Sequence, residues 1–189
     1  MKLAALIGTN HANQYPGNIH GHADIFTSYI LKVAKARVVD LIAEEMSREA
    51  LTKARVEKSS VQLAAEELRL LHLFCDPDSE ERTALKILDH EQLKQRRGLV
   101  HAFDDQIDLL EQDEKEYWPL REAEWLARLQ QTNHSKLLFV LGANHVESFA
   151  SLLSSNKYKV EILNSRWRPE NNGVDINPGL ERLTGFSHF

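Results

Sequence analysis

Two short segments of the chain repeat the same residue types, and each ends in a histidine. They are Gly8–His11, with the sequence Gly-Thr-Asn-His, and Gly142–His145, with the sequence Gly-Ala-Asn-His. An imidazole ring can bind a metal ion or exchange a proton near neutral pH. The neighbouring amides of Asn10 and Asn144 can orient the ring or bind a substrate oxygen. One such segment alone is commonly an ordinary turn, but its repetition favours a functional site.

Glu44 and Glu45 can supply a carboxylate to the same site. They follow a predicted strand, Val38–Ala43, and only one of them can face the site because alternate side chains of a strand point to opposite faces. We expect that residue to be Glu45. Together with His11 and His145 it can bind a divalent metal ion that keeps an open coordination position. The same three residues can also carry out metal-free acid–base hydrolysis, and the sequence leaves both alternatives open.

Each histidine segment directly follows a predicted strand, Leu3–Ile7 or Lys136–Leu141. Continuous apolar runs of this kind are typical of parallel strands that are buried on both faces. Ligands of parallel sheets bind beyond the carboxyl ends of the strands. We therefore expect Gly8 and Gly142 to allow a turn with positive φ or a close approach to a ligand.

The remaining patterns predict an α/β fold, with a mostly parallel sheet flanked by helices. A helical segment, Asp104–Gln131, precedes the fourth strand and is expected to break at Pro119. The other predicted elements are helices over Ala23–Arg37, Ser59–Leu71 and Glu147–Ser155 and strands over Leu71–Cys75 and Tyr158–Leu163. We expect one domain over residues 1–167, followed by a tail or lid over residues 168–189.

Composition limits the function classes. The chain has 189 residues, a net charge of -5 and a single cysteine, Cys75. This charge gives no overall attraction to nucleic acid or to an anionic membrane, and an intrachain disulfide needs two cysteines. No apolar run approaches the roughly 20 residues of a membrane-spanning helix. These features predict a cytoplasmic protein that binds neither membrane nor nucleic acid.

The two Gly-x-x-His segments, the glutamate after the second strand and the segment Leu120–Leu129 together resemble the TraB/Tiki, ChaN and erythromycin esterase-like superfamily. The resemblance covers most of residues 1–163. It implies a cleft at the carboxyl edge of an α/β sheet, lined by both Gly-x-x-His segments and by a charged Glu-Arg pair on the preceding helix.

The resemblance implies His11 and His145 as the principal site histidines and Glu45 or Glu44 as the strand-end carboxylate. Arg121 and Glu122 correspond to the charged pair on the helix. This sequence has the order Arg-Glu in place of Glu-Arg, which leaves open whether Arg121, Glu122 or Glu124 faces the cleft.

Three kinds of function follow from these predictions. The first is a hydrolase of a peptide, ester or phosphoester bond, which acts on a small molecule or a peptide. In it His11 and His145 bind a metal or share acid–base work, and Arg121 stabilises developing negative charge. The second is a non-catalytic module that binds haem, a metal ion or a nucleotide in the same cleft. The third is a regulatory protein of a bacterial stress or defence locus, which uses the fold to bind a protein partner or a second copy of the chain.

Two further segments lie close to the predicted site. His20 and His22 follow the first histidine segment and can add ligands for a metal or haem, although loop histidines are commonly just exposed. Arg166-Trp167-Arg168 follows the last strand. Cations beside an aromatic ring can stack a base or bind a phosphate, but we expect Trp167 to anchor the tail to the core between two solvated arginines.

Overall fold

The described part of the chain forms a three-layer α/β structure. A computed structural model of the protein describes residues 1–98 and 104–171. Within these ranges lies one five-stranded sheet, and all of its strand pairs are parallel. The strands are β1 (Lys2–Thr9), β2 (Leu41–Glu44), β3 (Leu71–Phe74), β4 (Lys136–Gly142) and β5 (Tyr158–Asn164), in the order β3-β2-β4-β1-β5. The predicted fold class is confirmed.

Eight α-helices connect the strands within the described ranges. They are α1 (Ala23–Arg37), α2 (Arg48–Ala54), α3 (Ser60–Leu68), α4 (Ser79–Ala84), α5 (His90–Arg97), α6 (Asp104–Lys115), α7 (Trp118–Gln130) and α8 (Val146–Ser155). Helices α6 and α7 form the helical segment that was expected before the fourth strand. None of the helices in the described part of the chain is both long and apolar enough to cross a bilayer.

Successive residues of the central strands point to opposite faces of the sheet and pack into two separate hydrophobic cores. In β1, Leu6 packs on the face covered by α7 and α8 with Trp125 and Phe149. Ile7 packs on the opposite face, which is covered by α1 and α3, with Ile30. The helices that follow the neighbouring strands β1 and β4 therefore lie on opposite faces, and a crevice opens between the two strand ends. This is the topological position at which parallel sheets bind ligands.

The structure corrects the predicted start of the second strand. Val38 has a φ of 51°, and its backbone N–H caps α1 by donating to the last-turn carbonyls, so it ends the helix and does not begin β2. Two residues later, the carboxylate of Asp40 accepts hydrogen bonds from the backbone N–H groups of Ser135 and Lys136. β2 consequently begins only at Leu41.

Local signals set the other boundaries close to their predicted positions. Ser59 caps α3 by accepting from the backbone of Gln62. Pro119 lies in the first turn of α7, where a missing N–H costs little, and the predicted helix is therefore split into α6 and α7. Of the predicted tail, residues 168–171 are described, with a short 3-10 turn at Pro169–Asn171, and residues 172–189 lie outside the described ranges. The predicted single domain over residues 1–167 stays a prediction.

Candidate functional site

The two Gly-x-x-His segments meet at the carboxyl edge of the sheet. Each continues its strand into a short 3-10 turn, at His11–Gln14 after β1 and at Ala143–His145 after β4. β1 and β4 pair directly, with Thr9 opposite Gly142. Although 134 positions separate the histidines in the chain, their side chains therefore enter one site.

Glu45 lies between the two rings. Its Oε1 is 3.7 Å from Nε2 of His11 and 3.7 Å from Nε2 of His145. The same oxygen accepts a hydrogen bond from Nη2 of Arg121 at 2.7 Å, and Oε2 accepts one from the backbone N–H of Gly142 at 2.7 Å. Glu45 is only 3% exposed, so these two donors fix its orientation.

His145 is held from behind by a second buried carboxylate. Its Nδ1 lies 2.8 Å from Oε1 of Glu122, which also accepts from the hydroxyl of Ser148. The rings of Trp118 and Trp125 pack against the imidazole at 4.4 and 5.0 Å between centroids. An ionised carboxylate only accepts hydrogen bonds, so the proton of the neutral ring lies on Nδ1 and the lone pair of Nε2 faces the cleft.

His11 is oriented by a chain of hydrogen bonds that runs into the interior. Its Nδ1 lies 2.8 Å from Oε1 of Gln14, whose Nε2 donates to Oε2 of Glu44 at 3.1 Å. The other oxygen of Glu44 accepts from Ser59 and lies 2.8 Å from Nε2 of His72. Because the carboxylate can only accept, Gln14 turns its carbonyl oxygen to His11, and Nε2 of His11 is left as an acceptor.

The structure assigns different places to the two glutamates after β2. Glu44 is the last residue of the strand, is fully buried and belongs to the chain of hydrogen bonds behind His11. Glu45 lines the cleft. The expected alternation of the two side chains therefore holds at the strand end.

Arg121 joins Glu45 to a second acidic residue, Asp76. The guanidinium donates to Oδ1 of Asp76 through Nε at 3.0 Å and through Nη2 at 2.8 Å. Burial alone raises the pKa of Asp76, but the positive charges of Arg121 and Arg82 outweigh this effect and hold that pKa below its usual value. Burial lowers the pKa of Arg121, and Glu45 and Asp76 overcome this effect and raise it above the ordinary arginine value.

Helix α7 thus places Arg121 in the cleft wall and Glu122 behind His145. Glu124 instead pairs with Arg128 at 2.9 Å, within the same helix. Of the three residues that the reversed Arg-Glu order left open, Arg121 is therefore the one that faces the cleft.

The site opens into a cleft of about 680 Å³. Its lining includes the predicted residues Asn10, His11, Glu45, Arg121, Asn144 and His145. His20 and His22 also line it. Asn10 uses its side-chain oxygen to cap the turn, by accepting from the N–H of Ala12. Asn144 is exposed in the cleft, where its amide can reach a substrate.

The expectation of a positive φ at the two glycines is wrong, because neither has one. Both are required by close approach of other atoms. A Cβ on Gly8 would lie 2.2 Å from the backbone oxygen of Ser165 and 2.5 Å from Val146. A Cβ on Gly142 would lie 3.1 Å from Oε2 of Glu45 and 3.2 Å from Nε2 of His11. Gly142 therefore makes room inside the site, whereas Gly8 packs against the chain beside it.

The predicted metal ligands converge, but their donor set does not fit a divalent ion. Both oxygens of Glu45 are engaged, one of them by the cation of Arg121, and a positive charge at a ligand oxygen opposes metal binding. In residues 1–98 and 104–171, no group of three or more His, Cys, Asp or Glu side chains could hold a metal ion.

Haem fits the cleft poorly as well. His20 and His22 on the rim are candidate axial ligands, but the walls carry mostly polar and charged side chains. Pockets for large cofactors are mainly apolar. Haem and metal binding both stay predictions.

Several residues of the site were missed from the sequence. Trp118 and Trp125 are seven positions apart on one helix, and this spacing places both side chains on one face, so the signal for an aromatic wall was present. Gln14, His72 and Ser148 carried no comparable signal, because only the folded chain brings them to His11, Glu44 and Glu122, respectively.

Comparisons of this chain with protein-family models, with curated proteins and with solved structures find no match.

Proposed function

We propose that this protein is a hydrolase in which His145 acts as the general base that activates water. The observation that carries the proposal is the buried pair of His145 and Glu122. Nδ1 of His145 lies 2.8 Å from the carboxylate of Glu122, while Nε2 of the same ring faces the open cleft beside Glu45. A carboxylate behind an imidazole selects the tautomer and stabilises the imidazolium that forms when the ring takes up a proton.

Glu45 and His11 support the proposal by defining where the water binds. The distance of 3.7 Å from Oε1 of Glu45 to each Nε2 is too long for a direct hydrogen bond, and a water molecule on the cleft side of these atoms can bridge them. Such a water is held next to the lone pair of His145. The water can donate its two protons to two of these three acceptors at a time, and these hydrogen bonds raise the electron density on its oxygen.

The reaction then balances with the residues at hand. The water oxygen attacks the carbonyl carbon or phosphorus atom of the substrate, and its proton passes to Nε2 of His145. The bond to the leaving oxygen or nitrogen breaks, and the imidazolium returns the proton to that atom. Arg121 lines the cleft and is held by two carboxylates, so its charge is fixed in position to stabilise the negative charge of the transition state.

The proposal is tested by replacing each member of the pair. Wild type is screened against a neutral ester, a phosphate monoester and a peptide, all chromogenic or fluorogenic, and turnover is measured in His145→Gln and Glu122→Gln. Loss of a general base typically lowers kcat by about 10²- to 10⁴-fold. We expect this loss with an unchanged circular dichroism spectrum, at a temperature where both variants are folded.

His134→Gln is the matched control, because His134 is also buried but bonds Tyr158 and Thr132 away from the cleft. Its kcat should match that of wild type at a temperature where both are folded. Failure of wild type to hydrolyse any of the three bond types would overturn the proposal, as would a His145→Gln variant with full activity.

A further inference from the structure

The segment that follows β5 gives one wall of the cleft a surplus of hydrogen-bond donors. We propose that this wall binds an anionic group, a carboxylate or a phosphate, and that the substrate of the hydrolase is therefore an anion. The inference rests on the proposed function, since it names the substrate class of the same cleft.

Trp167 fixes the position of this wall. Its indole is 2% exposed and packs on Phe26 and Tyr29, with centroid distances of 4.6 and 6.0 Å. Its backbone N–H donates to the carbonyl of Gly8 at 2.7 Å. The segment is therefore tied to the end of β1, three residues before His11.

The two neighbours of this anchor both line the cleft. Because Trp167 points into the core, Arg166 and Arg168 lie on the solvent side of the segment, and both border the same cleft as His11 and His145. Both arginines are exposed to solvent, as expected from the sequence. That both also line the wall of the site was not expected.

The positive charges of these arginines are not neutralised within the described part of the chain. Neither Arg166 nor Arg168 forms a salt bridge there, whereas Arg121 has Glu45 and Asp76 as partners. Among the acidic residues that line the cleft, Glu45 pairs with Arg121, and Glu114 forms a hydrogen bond with His90 at 2.8 Å. On the segment itself, two arginines stand beside a single carboxylate, that of Glu170.

The start of the segment is fixed as well, because Oδ1 of Asn164, the last residue of β5, accepts from the backbone N–H of Arg166 at 3.0 Å. The exposed guanidinium groups of Arg166 and Arg168 are the donors that this wall presents to the cleft. A ligand that supplies several acceptor oxygens and negative charge satisfies them best.

The first arm of the test measures binding by titration calorimetry with inorganic phosphate, with succinate and with neutral succinamide. We expect wild type to bind phosphate or succinate and not succinamide. The double variant Arg166→Gln/Arg168→Gln should bind that anion about tenfold more weakly or not at all. Arg55→Gln, an exposed arginine outside the cleft, is the matched control and should bind as wild type does. The anion that binds identifies the group as phosphate or carboxylate.

The second arm compares the kcat/KM of a hemisuccinate ester with that of the acetate ester of the same alcohol. We expect the ratio to favour the anionic ester in wild type and to fall about tenfold in the double variant. Absence of anion binding, or binding that the double variant retains, would overturn the inference. If wild type binds the anion through these arginines but hydrolyses no ester, phosphate or peptide, the proposed function fails and the anion site stands.

Discussion

Gln14 fixes the tautomer of His11 by presenting its carbonyl oxygen to Nδ1 at 2.8 Å. Gln14 can do so in one orientation only, because its amide nitrogen must donate to Glu44. Because the buried carboxylate of Glu44 can only accept hydrogen bonds, it sets the orientation of the Gln14 amide, and this amide in turn sets the tautomer of His11 in the cleft. Glu44 is thus a positioning residue for His11, although it does not line the cleft.

The variant Glu44→Gln tests this relationship. A glutamine at position 44 can donate as well as accept, so the amide of Gln14 is free to turn over and His11 becomes a mixture of tautomers. The ¹⁵N chemical shifts of the His11 ring report this directly, and in wild type they should show a protonated Nδ1. We expect kcat to fall by about tenfold, which corresponds to about 1.4 kcal/mol.

Glu66→Gln is the control for this experiment, because Glu66 is an exposed carboxylate that pairs with Lys58 on the surface. It should leave the His11 ring spectrum unchanged. A single Nδ1-protonated form of His11 in Glu44→Gln would contradict the proposed role of Glu44.

Asp76 should make folding stability depend on pH in the acidic range. Its pKa in the folded state lies below the unfolded value because of Arg121 and Arg82, so the folded protein stabilises the ionised form. This contribution is complete above the unfolded pKa of about 3.9 and is lost as the pH falls through the lower folded value. Removal of one partner from a buried ion pair costs about 3 kcal/mol.

Urea unfolding of Asp76→Asn at a series of pH values measures the effect. The free energy of unfolding should be lower than that of wild type near pH 7, and the difference should shrink as the pH falls below about 4. Asp113→Asn removes the partly exposed partner of Arg97 on the surface and should change stability little at any pH. A difference between Asp76→Asn and wild type that stays constant from pH 7 to pH 2 would disprove the assigned cause.

The sequence could predict the parts of the site that follow from strand ends. Buried runs closed by Gly-x-Asn-His are local features, and parallel pairing of β1 with β4 brings both histidines to one edge. The end of α1 at Val38 was harder to predict from the sequence, because valine prefers strand conformation and rarely adopts a positive φ. The carboxylate behind His145 depended on the exact rotation of α7, which the packing of Trp125 and Leu129 in the core determines.

The hydrogen bonds of Glu44 with His72 and of Arg121 with Asp76 could not be predicted from the sequence, for a different reason. His72 and Asp76 belong to β3 and the loop after it, and they meet Glu44 and Arg121 only after β3 pairs with β2. No periodicity within a single element encodes such contacts.

Gly142→Ala should impair catalysis more than folding. The added methyl group would lie 3.1 Å from Oε2 of Glu45 and 3.2 Å from Nε2 of His11, so both side chains must move by a few tenths of an ångström. Such displacements disturb the alignment of reacting groups. We expect kcat to fall by about tenfold with a loss of stability below about 1 kcal/mol, as measured by turnover and urea unfolding. Wild-type kcat in this variant would show that the close approach does not matter for the reaction.

Gly8→Ala should have the opposite profile. Its methyl group would lie 2.2 Å from the backbone oxygen of Ser165, and a backbone atom cannot move aside as the end of a side chain can. Overpacking of this kind costs about 3 kcal/mol, and the shift would also disturb the hydrogen bond from Trp167 to the Gly8 carbonyl. We therefore expect a lower melting temperature and weaker binding of phosphate or succinate. A variant as stable as wild type would disprove this packing.

Removal of metal ions should leave the hydrolase active. Arg121 already supplies the positive charge beside Glu45, so the reaction as proposed needs no second cation there. Activity should persist after dialysis against a chelator, and elemental analysis of the active protein should find no stoichiometric Zn²⁺, Mn²⁺ or Fe²⁺. Added haemin should give no Soret band that depends on His20 or His22, because the polar cleft wall does not suit a porphyrin. Activity that is lost with the chelator and restored by one metal ion would contradict the metal-free reaction.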